Sequence, residues 1–224
     1  MASDAKKILF DVCGTLYRSN TTYDFLKYYL NKNNNLQYLK ICLLLSLPGK
    51  ALVVALSKIG WNLPLREYLV GLLKGAPKEE VALEAEKFVK EILCSKKIDR
   101  VHEVLKSASC EKKEIILISA SIDPVVKAIA DELGVSSFIC STLDVDAKGC
   151  YTGKFSIDIK GKKAGFAFEN GCIQSEFTTV FTDNKDDIDL IELCETSFVI
   201  SKRQNVNYWK KKLKPYPNWQ LIHV

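Results

Sequence analysis

The sequence predicts an α/β protein: a doubly wound parallel sheet whose first strand is cut off from the others by a long helical insertion. Three observations carry this. Short apolar runs without internal alternation read as strands buried on both faces. From about residue 98 such runs alternate with helix-patterned segments, the order that builds a parallel sheet covered by helices. Between them, residues 22 to 93 are patterned as helix almost throughout.

Taken in order, KILFDVC at 7–13 is a strand stopped by Gly14-Thr15. Helical pieces follow near 22–32, 36–47, 50–60, 64–74 and 78–94, punctuated by Asn33-Asn34-Asn35, Pro48-Gly49, Asn62 with Pro64, and Gly75-Ala76-Pro77. The last of them sets Val81, Leu83, Ala85, Phe88, Val89 and Ile92 among charges, an amphipathic pattern. A helix at 98–108 leads to the strand EIILIS at 114–119. Asp123-Pro124 then starts a helix that Gly134 stops. Residues 137–141 form the next strand, and 142–159 a hairpin turning at Ala147-Lys148-Gly149. Helices at 162–170 and 185–194 alternate with strands at 178–182 and 197–201, and 219–223 suits a last edge strand.

Composition excludes several classes. With 47% hydrophobic and 26% charged residues the chain is an ordinary globular protein. The net charge of +5 is mild, and the Lys210-Lys211-Lys212-Leu213-Lys214 run reads as a solvated helix face, so no nucleic-acid surface is expected. The eight cysteines are scattered without a CxxC pair or a nearby histidine, against a zinc site. The N-terminal residues run straight into a strand without a signal-peptide pattern, and reduced thiols in a cytoplasm are the expectation. ICLLLSLPGKALVVALSKIG at 41–60 is long enough to span a bilayer. However, Lys50 at its middle would cost about 2.5–3.5 kcal/mol, and Pro48 breaks a helix. Two short apolar helices meeting at a turn are expected instead, packed against each other or resting on a membrane surface.

Open α/β sheets bind ligands at the carboxyl ends of their strands. Here those ends carry Asp11, Ser119 and Asp183, with Asp187 a turn beyond the last. Carboxylates gathered on one rim repel unless a cation lies between them, and an all-oxygen set suits Mg²⁺. Singly, each has a plainer account. Ser119 can be an ordinary strand-end serine, and Asp183 and Asp187 can decorate a helix start. Asp11 is harder to explain that way, because an ionisable group ending a buried strand is costly unless paired.

Asp11-Val12-Cys13-Gly14-Thr15-Leu16 resembles the DxDGTL signature of the haloacid dehalogenase-like superfamily. IILISAS at 115–121 resembles its second motif, and Phe181-Thr182-Asp183-Asn184-Lys185-Asp186-Asp187 its acidic pair with three residues between. STLDVDAKGCYTGKF at 141–155 is similar to the phosphoserine phosphatase-like branch. The resemblance implies a Rossmann-like core over 1–17 and 98–224 and an inserted all-helical cap over 18–97. It implies a Mg²⁺-dependent phosphatase acting on a small phosphorylated substrate through an aspartyl-phosphate at Asp11. Asp11, the backbone carbonyl of Cys13 and Asp183 would hold the metal, with Asp187 ligating through water or holding a neighbour. Thr15 and Ser119 would bind phosphate oxygens. Lys163 would neutralise their charge, with Lys160 and Lys162 as alternatives. The apolar cap helices suit a lipid-linked phosphate, and core packing explains them as well.

Cys13 departs from the pattern. The second acid of DxD protonates the leaving group and activates water, and a thiol of ordinary pKa near 8.5 is a weak donor for that task. Loss of a general acid/base costs about 10²–10⁴-fold in rate. The implied alternatives are a slowed phosphatase and an impaired relative that binds a phosphorylated ligand or a partner protein.

Overall fold

A computed structural model describes residues 7–58, 60, 64–173, 177–216 and 218–224. The expected break at Asn62 and the leading residues 1–6 lie outside these. The strand β1 (Lys7–Phe10) lies at the centre of a seven-stranded sheet, between β2 (Glu114–Ile122) and β5 (Thr178–Thr182), parallel to both. Register sets Phe10 opposite Leu117 on one side and Phe181 on the other. Beyond β2 come β3 (Ser137–Val145), parallel, and β4 (Tyr151–Ile157), antiparallel to it. Beyond β5 come β6 (Thr196–Ser201) and the edge strand β7 (Trp219–His223), both parallel. This is the doubly wound α/β sheet that the sequence predicts.

Strand side chains alternate between two cores. Ile8 and Phe10 enter one, Leu9 the other. The first core packs the sheet against α6 (Asp99–Cys110), through Val101 and Leu105, and α7 (Asp123–Leu133), through Val125 and Ile129. The second is closed by α8 (Lys163–Glu169), α9 (Ile188–Glu192) and α10 (Val206–Lys212), through Ala167, Leu190, Ile191 and Trp209. On the first face Phe10, Phe181 and Phe198 stack across three strands, with ring centroids 4.7 and 4.6 Å apart. Offset aromatic stacks of this kind add about 0.5–1.5 kcal/mol per pair beyond burial.

Residues 21 to 91 form α1 (Thr21–Asn33), α2 (Asn35–Leu45), α3 (Leu47–Lys58), α4 (Leu65–Gly71) and α5 (Lys78–Glu91). Asn20 caps α1, its side-chain oxygen accepting the Tyr23 amide. The helical stretch is bonded to the β3–β4 hairpin as well as to its own chain ends. Gly75 donates its amide to the Tyr151 carbonyl, Tyr151 to Ala76, and Lys78 to Gly149.

Local differences from the sequence reading have physical causes. The break between the two apolar helices falls at Ser46, not at Pro48-Gly49. Proline fits the first turn of a helix, where its missing N–H is not needed, so Pro48 sits in the start of α3. The Ser46 hydroxyl accepts the Gly49 amide at 3.1 Å. Gly49 is needed at this elbow, because a Cβ there would lie 2.1 Å from the Leu43 carbonyl oxygen. The two helices meet at that point, but packing against each other does not use up their apolar surface. Leu36, Leu39, Leu43, Leu47, Leu52 and Val54 remain exposed.

The second strand runs past Ser119 to Ile122 through a register shift, and the Thr22 hydroxyl accepts the Ile122 amide beyond it. The helix expected at 185–194 is a 3₁₀ turn (Lys185–Asp187) followed by the short α9.

Candidate active site

Parallel pairing puts the carboxyl ends of β1, β2 and β5 on one edge. The amide of Asp11 bonds the Phe181 carbonyl, which carries the pairing one residue past β1 and fixes Asp11 at the rim. Asp183 follows directly on β5, and Ser119 lies beside them in β2. Lys163 arrives from the first residue of α8 and is 4% exposed. Its Nζ donates to Asp11 Oδ1 and to Asp187 Oδ2, both at 2.8 Å. Lys163 is therefore not a solvated helix-start lysine. Lys160, by contrast, is exposed and lines the cleft with Asp11, Ser119 and Asp183, and Lys162 is exposed as well.

The Thr15 hydroxyl sits between two carboxylates, 3.4 Å from Asp11 Oδ2 and 3.5 Å from Asp183 Oδ1. Those oxygens therefore lie no more than two hydrogen-bond lengths apart. Burial pushes the Asp183 carboxyl up to about 7, and the neighbouring Asp11 charge adds to it. Burial also raises Asp11, opposed by Lys163 and reinforced by Asp187. For Lys163 burial works against the charge, but Asp11 and Asp187 outweigh it and hold the ammonium above its ordinary value. The site is short of positive charge: one buried ammonium faces three acids.

Among the described residues, no three His, Cys, Asp or Glu side chains are grouped so as to hold an ion. The rim nevertheless fits a small hard cation that takes one or two carboxylates and keeps its waters, as Mg²⁺ does. Asp11 and Asp183 supply two such carboxylates. Room for them depends on Gly14, whose φ is +76°, and a Cβ there would lie 2.0 Å from Asp183 Oδ2. Gly14→Ala is thus expected to cost about 1–2 kcal/mol in the left-handed backbone alone, with displacement of Asp183 added. An alanine variant as stable as the parent in urea unfolding would contradict this account of the loop.

Asp187 is 2% exposed and is already engaged, because its Oδ2 also accepts the Thr182 hydroxyl at 2.6 Å. Cys13 lies at the mouth, partly buried. Its Sγ is 3.1 Å from the hydroxyls of both Thr21 and Ser121, and the Thr21 amide donates to it at 3.4 Å. The two hydroxyls also bond each other at 2.5 Å. Burial, then the Asp11 charge, pushes the Cys13 thiol up, so it stays protonated at neutral pH.

Several residues in or bonded to this cleft were assigned no role from the sequence. Thr21, Ser121 and Thr182 sit in or beside the recognised motifs, but hydroxyls are too common to single out. Arg66 of α4 had no signal at all. Its guanidinium pairs with Asp158 at 3.0 Å, reaches the Ala120 carbonyl and the Ser141 hydroxyl, and lies 4.6 Å over the Phe155 ring. It therefore closes one wall of a cleft of about 570 Å³ that also holds Asp11, Cys13, Ser119, Lys163 and Asp183.

In open parallel sheets ligands bind at the carboxyl ends of the strands, which is where these acids and the buried lysine meet. The sequence matches the family described as haloacid dehalogenase-like hydrolase over residues 8–192, and the chain belongs to that family. No curated protein matches it. Among solved structures, a protein with unknown function from Bordetella pertussis Tohama I is similar at a TM-score of 0.76 and 16% identity, covering 97% of this chain and 98% of that one. A phospho-aspartyl intermediate analogue of phosphoserine phosphatase is similar at 0.53 and 18%, covering 87% and 86%. A phosphoserine phosphohydrolase-like protein from Francisella tularensis is similar at 0.57 and 15%, covering 97% and 94%. These likenesses establish the shared fold.

Proposed function

We propose that the chain is a Mg²⁺-dependent phosphatase that hydrolyses a small organic phosphomonoester through an aspartyl-phosphate at Asp11. The observation that carries this reading is the meeting of Asp11, Asp183, Thr15, Ser119 and the buried Lys163 on one sheet edge. A carboxylate oxygen of Asp11 attacks phosphorus as the bond from phosphorus to the ester oxygen breaks, the departing oxygen taking a proton from solvent water to leave as the alcohol. Water then attacks the acyl phosphate, gives up its proton to solvent, and releases inorganic phosphate to regenerate Asp11. Thr15 and Ser119 present hydroxyls to the phosphate oxygens, and Lys163 balances the charge spread over them. The metal would be held by Asp11, Asp183 and the carbonyl of Cys13, and when bound it lowers the repulsion between carboxylate and phosphate dianion. Of the two roles open to Asp187, its bonds to Lys163 and Thr182 favour holding that neighbour over ligating through water. Helices α1 to α5, within residues 18–97, act as the cap, with Arg66 reaching from it to the cleft wall.

A second reading is favoured by Cys13 alone: a relative that binds a phosphorylated ligand or a partner protein and turns over little. The first test is release of phosphate from an aryl phosphate. Asp11→Asn is expected to lower the rate by about 10³-fold or more, and chelation of divalent ions to abolish it. A rate that survives both changes belongs to a contaminant, and the phosphatase reading fails with it.

A further inference from the structure

Helices α2 and α3 carry an apolar surface that the fold leaves uncovered. On α2, Leu36, Leu39 and Leu43 follow the spacing of one helical face, and Leu43 is 68% exposed. On α3, Leu47 is 86% exposed, Leu52 and Val54 are more than half exposed, and Gly49 is the only residue fully buried. Single exposed leucines are ordinary on soluble proteins. Six large apolar side chains gathered on two consecutive helices mark an interaction surface.

Charge says what covers it. From residue 25 to 66 the sequence contains Lys27, Lys32, Lys40, Lys50, Lys58 and Arg66, and no Asp or Glu. Lys32 pairs with Glu84 and Arg66 with Asp158. Lys40, Lys50 and Lys58 are exposed, and none makes an ion pair with a described residue. Helical spacing puts Lys40 on the face of Leu36, Leu39 and Leu43, and Lys50 and Lys58 on that of Leu47, Ala51 and Val54.

We propose that the α2–α3 elbow docks on the surface of a bilayer containing anionic phospholipid, its leucines in the acyl boundary and its lysines among the headgroups. Neither helix alone is long enough to cross a bilayer, with 11 and 12 residues, and the pair, which has the length together, is bent by 68° where the two meet, a shape that lies along a surface. A second copy on the same face would bring like charges together across a two-fold contact, whereas anionic headgroups complement them. The proposal is independent of the phosphatase reading.

The test is sedimentation of the whole chain with vesicles of phosphatidylcholine mixed with phosphatidylglycerol, and of phosphatidylcholine alone. Binding is expected to the mixed vesicles, to weaken with salt, and to fall about fivefold for each of Lys40→Gln, Lys50→Gln and Lys58→Gln. The combined Leu39→Ser, Leu43→Ser and Leu47→Ser variant is expected to sediment no more than with neutral vesicles. These positions are exposed, so folding persists, which circular dichroism checks. Asp11→Asn is expected to bind like the parent, which separates docking from turnover. A parent that stays in solution, or a triple leucine variant that binds as well as the parent, overturns the proposal. So does a parent dimer that the leucine changes split while vesicles capture neither form.

Discussion

Replacing Lys163 by methionine lowers the stability of the fold by about 3–5 kcal/mol, the usual cost of removing one partner from a buried ionic set. Lys163, Asp11 and Asp187 are all nearly inaccessible, and the ammonium is bonded to both carboxylates at 2.8 Å. Methionine fills similar space but leaves two acids without a counter-charge in a desolvated site. Urea unfolding in the presence of a chelator measures the loss. Adding Asp187→Asn to the Lys163→Met chain removes one of the stranded charges and is expected to recover part of it. If the single variant unfolds at the parental midpoint, Lys163 does not hold the two acids together.

Cys13→Asp is expected to raise phosphate release by about 10²–10⁴-fold, the range that a positioned acid/base contributes. Hydrogen-bond partners for a carboxyl already surround residue 13, against the burial and the Asp11 charge that disfavour an anion there. Two hydroxyls lie 3.1 Å from Sγ, and the Thr21 amide at the opening of α1 points at it. Anions are favoured at such a helix start. A rise from a measurable parental rate supports a slowed phosphatase, whereas a rise from none supports the binding reading. Equal rates in both forms would mean that proton transfer at this position is not what limits the chain.

Much of this was legible in the sequence because it is local. Lys7–Phe10 is a short, mostly apolar run and Thr178–Thr182 a β-branched and aromatic one, each followed by an acid, and they are the strands that set Asp11 and Asp183 on one edge. The family resemblance points to a lysine near 160–163, and Lys163 is preferred over Lys160 and Lys162 because it lies just ahead of an apolar helix. What escaped depends on chain segments far apart. Arg66 meets Asp158 across 92 positions, and Thr21 meets Ser121 across 100, with no pattern at either end to announce it. The apolar run at 41–60 was recognised as two helices, but periodicity cannot tell a leucine facing a neighbour from one facing outward. Its break falls at Ser46 because that hydroxyl caps the next helix while Pro48 fits the first turn of that helix and does not end one.

The Thr21 hydroxyl touches both Cys13 and Ser121, so the opening turn of α1 is latched simultaneously to the loop after β1 and to β2. A tilt of α1 away from the sheet must release both contacts together. The residue at position 13 is accordingly a tether of α1 as well as a wall of the cleft.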